Sequence, residues 1–300
     1  IDDLLQAKGR IFTICGDPGA GKSRLVEEFR ASLDLGKIQW LEGHAYAYMQ
    51  NVPYFPIVSL MNGVFAIEEG DLPGQIGKKI ESGIVEILGP RKDLVPYVGS
   101  LYALNYDELR GISPEIWKSR LHAAVLEIMS GLTRRAPTVF FLEDLHWADP
   151  SSVDLLRSAL LHLSALFVCA FRPTFSLSIG EAPEGIEKPV SEIRIEDLSP
   201  SETEDMLQSL LKTDDIPPEL RQFVQDKTGG NPFFLEELVS TLIESENIIR
   251  EGMSWKTARP LSECEIPSTI SGVITGRLDR LDKKTKRILQ QASVIGRTFP

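Results

Sequence analysis

Residues Gly16-Asp17-Pro18-Gly19-Ala20-Gly21-Lys22-Ser23 spell a complete G-x-x-x-x-G-K-S, set between the apolar run Ile11–Cys15 and the helical stripe Leu25, Val26, Phe29 and Leu33. The pattern commits the chain to a strand, a tight glycine turn and a helix in immediate succession. Each part has a chemical use. Gly16, Gly19 and Gly21 let backbone N–H groups approach phosphate oxygens with no Cβ in the way. The helix N-terminus adds unpaired donors and a positive dipole end. Lys22 supplies a point charge for β- and γ-phosphates, and the Ser23 hydroxyl is placed to ligate Mg²⁺. Pro18, Ala20 and Arg24 complete the candidate nucleotide-contacting set.

Three hundred residues suffice for one large domain or two ordinary ones. The net charge of −11 argues against non-specific nucleic-acid binding by the body of the chain. Lys283-Lys284-Thr285-Lys286-Arg287 is the one basic run, and it reads as a solvated helix face. Cys15, Cys169 and Cys264 have no metal-ligand spacing and read as free thiols in a reducing compartment. With no secretory signal and no segment of membrane-spanning length, the expected location is the cytoplasm and no membrane partner is expected. Both ends read as cut from a longer polypeptide.

The first half alternates strand and helix. Strands are expected at Arg10–Cys15, Ile38–Gly43, Thr138–Leu142, Leu166–Phe171 and Val190–Ile195, with helices at Lys22–Leu35 and from Ser113 onward. Five strands with helical crossovers imply an α/β fold, an open parallel sheet flanked by helices. After Leu198 the pattern turns helical, with a capping signature at Ser199-Pro200-Ser201-Glu202 and a small hairpin around Glu251-Gly252. The expected division is a nucleotide-binding domain over residues 1–197 and a smaller helical lid domain over 198–300.

Glu143 and Asp144 follow the third strand directly, where open α/β sheets bind ligands. By position Glu143 is the metal-side acid and Asp144 the residue that orients an attacking water. The competing reading of the pair is an acidic cap or turn.

Phe141-Leu142-Glu143-Asp144-Leu145-His146-Trp147-Ala148-Asp149-Pro150-Ser151-Ser152 resembles the Walker B region of the STAND-type ATPases, signal-transduction relatives of AAA+ proteins with numerous domains. Gly229-Gly230-Asn231-Pro232-Phe233-Phe234 resembles that group's Gly-x-Pro segment, and Ala292–Phe299 its entry into a winged-helix unit. The resemblance implies a P-loop ATPase using ATP/ADP and Mg²⁺, with Pro232 against the adenine ring and Arg172 as a γ-phosphate sensor. The competing reading of Arg172 is an exposed loop arginine. The resemblance also implies fusion to cyclase, kinase or helix-turn-helix output domains, and leaves nucleotide-dependent self-association open. Many relatives carry Asp where this chain has Glu143, and the glycine–arginine–glutamate element expected upstream of the phosphate loop is missing.

The remaining candidates have structural readings. His44, His122 and His162 show no acid or cysteine at ligand spacing and read as structural or surface residues. His146 and Trp147 read as packing residues, Asp149 as a helix cap, and Val52–Pro56 as an ordered turn. The function expected is a slow regulatory ATPase. A nucleotide-binding scaffold without useful hydrolysis is the alternative, and a nucleic-acid motor a more distant one.

Overall fold

Strands β1 (Arg10–Gly16), β2 (Gln39–His44), β3 (Thr138–Glu143), β4 (Leu166–Phe171) and β5 (Val190–Ile195) form one parallel sheet in the order β2-β3-β4-β1-β5. The computed structural model describes residues 9–177, 189–252, 254–261 and 269–295. The first eight residues, Cys264 and the chain from Gly296, with most of the segment resembling a winged-helix entry, lie outside the described residues.

The central strands are apolar throughout because both sheet faces are covered. Successive side chains alternate between two cores. Phe140 and Leu142 of β3, with Phe167 and Cys169 of β4, enter the larger core. Val139 and Phe141, with Leu166 and Val168, enter the smaller one. The larger core is closed by α2 (Phe55–Phe65), α3 (Pro73–Leu88), α4 (Val95–Ser100), α5 (Pro114–Arg135) and α6 (Pro150–His162). The smaller is closed by α1 (Lys22–Ala31), through Val26 and Phe29. The rings of Phe140 and Phe167 stack at 5.2 Å at the centre of the larger core. Cys169 lies in the same layer, where burial pushes its thiol up to about 12 and leaves it inert.

Observed strand ends differ from the expected ones by one residue at β1, β2 and β3, and β4 and β5 coincide with them. The first helix stops at Ala31 rather than Leu35, where Ser32 turns its hydroxyl onto the Phe29 carbonyl.

Contacts divide the described chain into two units, the first running to Asp17 and from Lys22 to Ile195, the second comprising Pro18–Gly21 and the residues from Glu196. In the second unit α7 (Pro200–Leu211), α8 (Pro218–Thr228) and α9 (Pro232–Glu244) pack around Leu207, Leu220, Val224, Leu235 and Leu238. Strands β6 (Ile248–Glu251) and β7 (Ser254–Thr257) pair antiparallel, followed by α10 (Ile270–Arg280) and α11 (Lys283–Ile295). Gly230 sits at φ +87, and a Cβ there would lie 2.1 Å from the Leu198 carbonyl oxygen, so only glycine fits.

Asp149 shows how polar groups are accommodated next to the larger core. Its buried carboxylate accepts N–H bonds from Ser151 and Ser152 at 3.0 Å each, capping α6. The other oxygen accepts the Tyr54 N–H at 3.0 Å, which fixes a left-handed residue (φ 64) at the start of α2. Asp149→Ala therefore removes a cap and orphans a buried donor, and is expected to cost about 2–3 kcal/mol in urea unfolding. Ser113→Ala, which removes an exposed cap from α5, is expected to cost only about 1 kcal/mol.

Candidate functional site

The sheet order arranges the chemistry. Along its C-terminal edge stand His44 at the end of β2, Glu143 at the end of β3 with Asp144 following it, Arg172 after β4, and the glycine loop after β1. Residues more than a hundred positions apart in the chain thus share one edge, the ligand side of an open α/β sheet.

The loop has the shape its sequence requires. Gly19 and Gly21 take φ +80 and +101, a region closed to most side chains, and space around Gly21 is open. Lys22 curls back so that Nζ donates to the carbonyl oxygens of Gly16 (2.8 Å) and Asp17 (2.9 Å). Burial lowers the Lys22 pKa, with Arg172 acting in the same direction and Asp144 and Asp17 opposing. At the start of α1, Ser23 Oγ donates to Glu143 Oε1 at 2.6 Å. Phosphate-loop hydroxyl and strand-end acid are thus brought together, presenting adjacent hard oxygen donors of the kind Mg²⁺ takes. Arg24, one residue on, is exposed and pairs with Glu28 at 2.5 Å.

His44 is the residue that sequence reasoning missed. It does have acid partners: its Nδ1 lies 3.0 Å from Glu143 Oε2 and its Nε2 3.3 Å from Glu42 Oε2. Both partners arise from β geometry. The β2–β3 register sets His44 directly beside Glu143, and Glu42 is two residues back on the same face. Hydrogen bonding to Glu143 and then to Glu42 raises its pKa to about 9. Spacing along the chain carries no trace of a partner on the neighbouring strand; the apolar run of β3 ending at Glu143 was the available signal.

Asp144 begins a tight turn in the left-handed region, φ 57 and ψ 36. Its carboxyl is raised in pKa by burial and by the adjacent Glu143 charge, against Lys22 and Arg172. Trp147, on the same turn, lies under the Arg172 guanidinium, whose Cζ is 5.6 Å from the ring centroid. This contact makes Arg172 a half-buried, supported side chain rather than a free loop arginine. His146 packs its ring 4.9 Å from that of Trp147, and its Nδ1 is 3.8 Å from Asp144 Oδ1, beyond hydrogen-bond reach. Among the described residues, both ring nitrogens of His146 are buried without a hydrogen-bond partner.

Other candidates are placed as follows. Pro232 occupies the first turn of α9, where Asn231 accepts the Phe234 N–H at 3.2 Å and its amide donates to the Pro18 carbonyl at 2.9 Å within the second unit. His122 Nε2 meets the Tyr54 hydroxyl at 3.0 Å, a structural position, and His162, on the surface, has Nδ1 2.8 Å from the Ser158 carbonyl oxygen. Tyr54 is buried against Trp117, which makes Val52–Pro56 an ordered turn. Among the described residues no helix is long and apolar enough to cross a membrane.

The family described as AAA ATPase domain matches residues 1–169, and one described only as a domain of unknown function matches residues 199–252. An uncharacterized protein of Rhizobium meliloti (strain 1021) is 27% identical over 98% of this chain, which spans 28% of that protein. The peroxide stress-activated histidine kinase mak2 of Schizosaccharomyces pombe is 26% identical over 90% of this chain, which spans 13% of the kinase. Among solved structures, a Signal Transduction ATPase with Numerous Domains from Pyrococcus horikoshii, with a tetratricopeptide repeat sensor, aligns at TM-score 0.44 and 12% identity, over 97% of this chain and 33% of its own. The Aeropyrum pernix ORC1 protein in complex with DNA aligns at TM-score 0.41 and 12% identity, over 93% of this chain and 62% of its own. With more than half of its residues matched, the chain belongs to the AAA ATPase domain family, and its sheet is that of a P-loop ATPase module.

His146 gives this region a pH signature. Burial, then the Arg172 and Lys22 charges, push its pKa down from 6.5 to about 4. The unfolded chain therefore takes up this proton first, so the contribution is intact above about pH 6.5 and is lost as pH falls towards 4. His146→Leu is expected to remove that loss, worth up to about 3 kcal/mol at pH 4, and to leave two fewer unpartnered polar atoms at neutral pH. Urea unfolding of both proteins between pH 4 and 7 checks it.

Proposed function

We propose that this chain is the regulatory ATPase module of a larger signalling protein, binding ATP with Mg²⁺ and hydrolysing it slowly as a switch. The observation that carries the reading is the 2.6 Å bond between Ser23 Oγ and Glu143 Oε1, which joins the phosphate loop to the acid at the end of β3. Bound Mg²⁺ would supply charge neutralisation at the phosphate oxygens, and Ser23 and Glu143 are the residues that would hold it.

The protein's own groups divide the remaining work. Loop amides and the start of α1 bind the phosphates, and Lys22 exchanges its two carbonyl partners for phosphate oxygens. Asp144, at the turn after β3, orients the attacking water in line with the bond to be broken. Arg172, supported by Trp147, meets charge on the transferred phosphoryl group and distinguishes ATP from ADP. The resemblance of the Gly-x-Pro segment to that of STAND-type ATPases supports a part for Pro232 in base recognition. The acidic chain leaves nucleic-acid contacts, where they occur, to other domains.

The switch character is supported by the resemblance of the Walker B and Gly-x-Pro segments to STAND-type ATPases. The match to a short part of a stress-activated histidine kinase supports a place inside a multidomain protein.

Fluorescent-nucleotide binding and phosphate release on the full-length protein test the proposal. Lys22→Ala is expected to lose both. Asp144→Asn is expected to keep ATP affinity within about threefold while phosphate release falls about 100-fold. Phosphate release from the unsubstituted protein no faster than from Asp144→Asn would instead support a nucleotide-binding scaffold.

A further inference from the structure

His44 lies in a continuous polar chain that ends on the acid of the phosphate-loop site. Glu42 Oε1 accepts bonds from Arg30 Nη1 and Trp40 Nε1, both at 2.6 Å. Glu42 Oε2 faces His44 Nε2 at 3.3 Å, His44 Nδ1 faces Glu143 Oε2 at 3.0 Å, and Glu143 Oε1 accepts from Ser23 at 2.6 Å. Every member lies in the first unit, on α1 or on the paired strands β2 and β3.

We propose that His44 is a positioning residue for Glu143, holding one carboxylate oxygen so that the other is presented beside Ser23 towards the metal. The inference rests on the reading of Glu143 as the metal-side acid. Glutamate has one more rotatable bond than aspartate, so its carboxylate samples more orientations unless something holds it. Here a ring nitrogen holds one oxygen.

The ring is itself held on several sides. Tyr46 stacks parallel to it at 6.2 Å, and Phe141 meets it edge-on at 6.5 Å. Its backbone N–H donates to Ser59 Oγ at 3.2 Å. A Cβ at the preceding Gly43 would lie 2.8 Å from the Pro56 carbonyl oxygen, so the end of β2 lies hard against α2. Glu42, fixed by Arg30 and Trp40, then sets the ring's rotation about its own axis. Metal-site residues generally depend on such outer partners, whose removal costs about 10- to 100-fold in metal affinity.

The test measures affinity for a fluorescent ATP in Mg²⁺ and again in EDTA, and takes the ratio as the Mg²⁺-linked gain. His44→Ala is expected to cut that gain about tenfold while leaving affinity in EDTA within about twofold. His44→Asn, whose amide nitrogen can stand near the place of Nδ1, is expected to recover most of it. Glu42→Gln is expected to give a smaller loss in the same direction, and carries the test with His44→Asn if His44→Ala does not fold. Glu143→Gln is the reference for the underlying reading and is expected to lose the gain itself. A normal gain in His44→Ala or Glu42→Gln beside a lost gain in Glu143→Gln overturns the role of the His44 chain alone. Equal losses in His44→Ala and His44→Asn, or a matching loss in EDTA, overturn positioning in favour of a general structural role. An unchanged gain in Glu143→Gln overturns the metal-side reading of that acid.

Discussion

Burial of both faces of β1, β3 and β4 is the constraint on which the first unit depends. A strand whose alternate side chains enter two different cores has no solvated face on which to carry polar chemistry. Val139 and Phe141 go one way and Phe140 and Leu142 the other, so the first acid that β3 can present is Glu143, at its end. The same holds for β4, which offers Arg172 immediately after Phe171. On β3 and β4 charged groups are confined to the edge because the middle is fully committed to packing.

Charges along that edge alternate in a way that keeps each usable. His44 faces Glu42 and Glu143, and Asp144 lies among Lys22, Arg172 and Glu143. Lys22 rests on carbonyl oxygens rather than on a carboxylate. Under the proposed function the lysine exchanges these neutral acceptors for phosphate oxygens. The turn after β3 ties the acids to Arg172 through Trp147, and Asp149 anchors the far end of that turn to α6 and to Tyr54.

How far the site could be read in the chain depends on whether a residue's partners are local. The phosphate loop is legible because its glycines, lysine and serine act within eight consecutive residues. Glu143 and Asp144 are legible because an apolar run ending in acids already implies a buried strand edge. The Asp149 cap is legible because helix capping is a relation over three residues. His44 is not, since its partner Glu143 is 99 residues away and is reached only through strand register. The left-handed backbone of Asp144 and the cradle of Trp147 under Arg172 are likewise set by the turn and by the neighbouring strand.

Sequence alone determined the glycine loop, the five strands, the helical pattern after Leu198 and the acids at the end of β3, because each follows from periodicity or from groups within a few residues. Tertiary structure decided the strand order, and with it that Ser23, His44, Glu143 and Arg172 stand on one edge. The physical reason is that sheet register and crossover packing couple distant segments through backbone hydrogen bonds and buried area, quantities that no single segment carries.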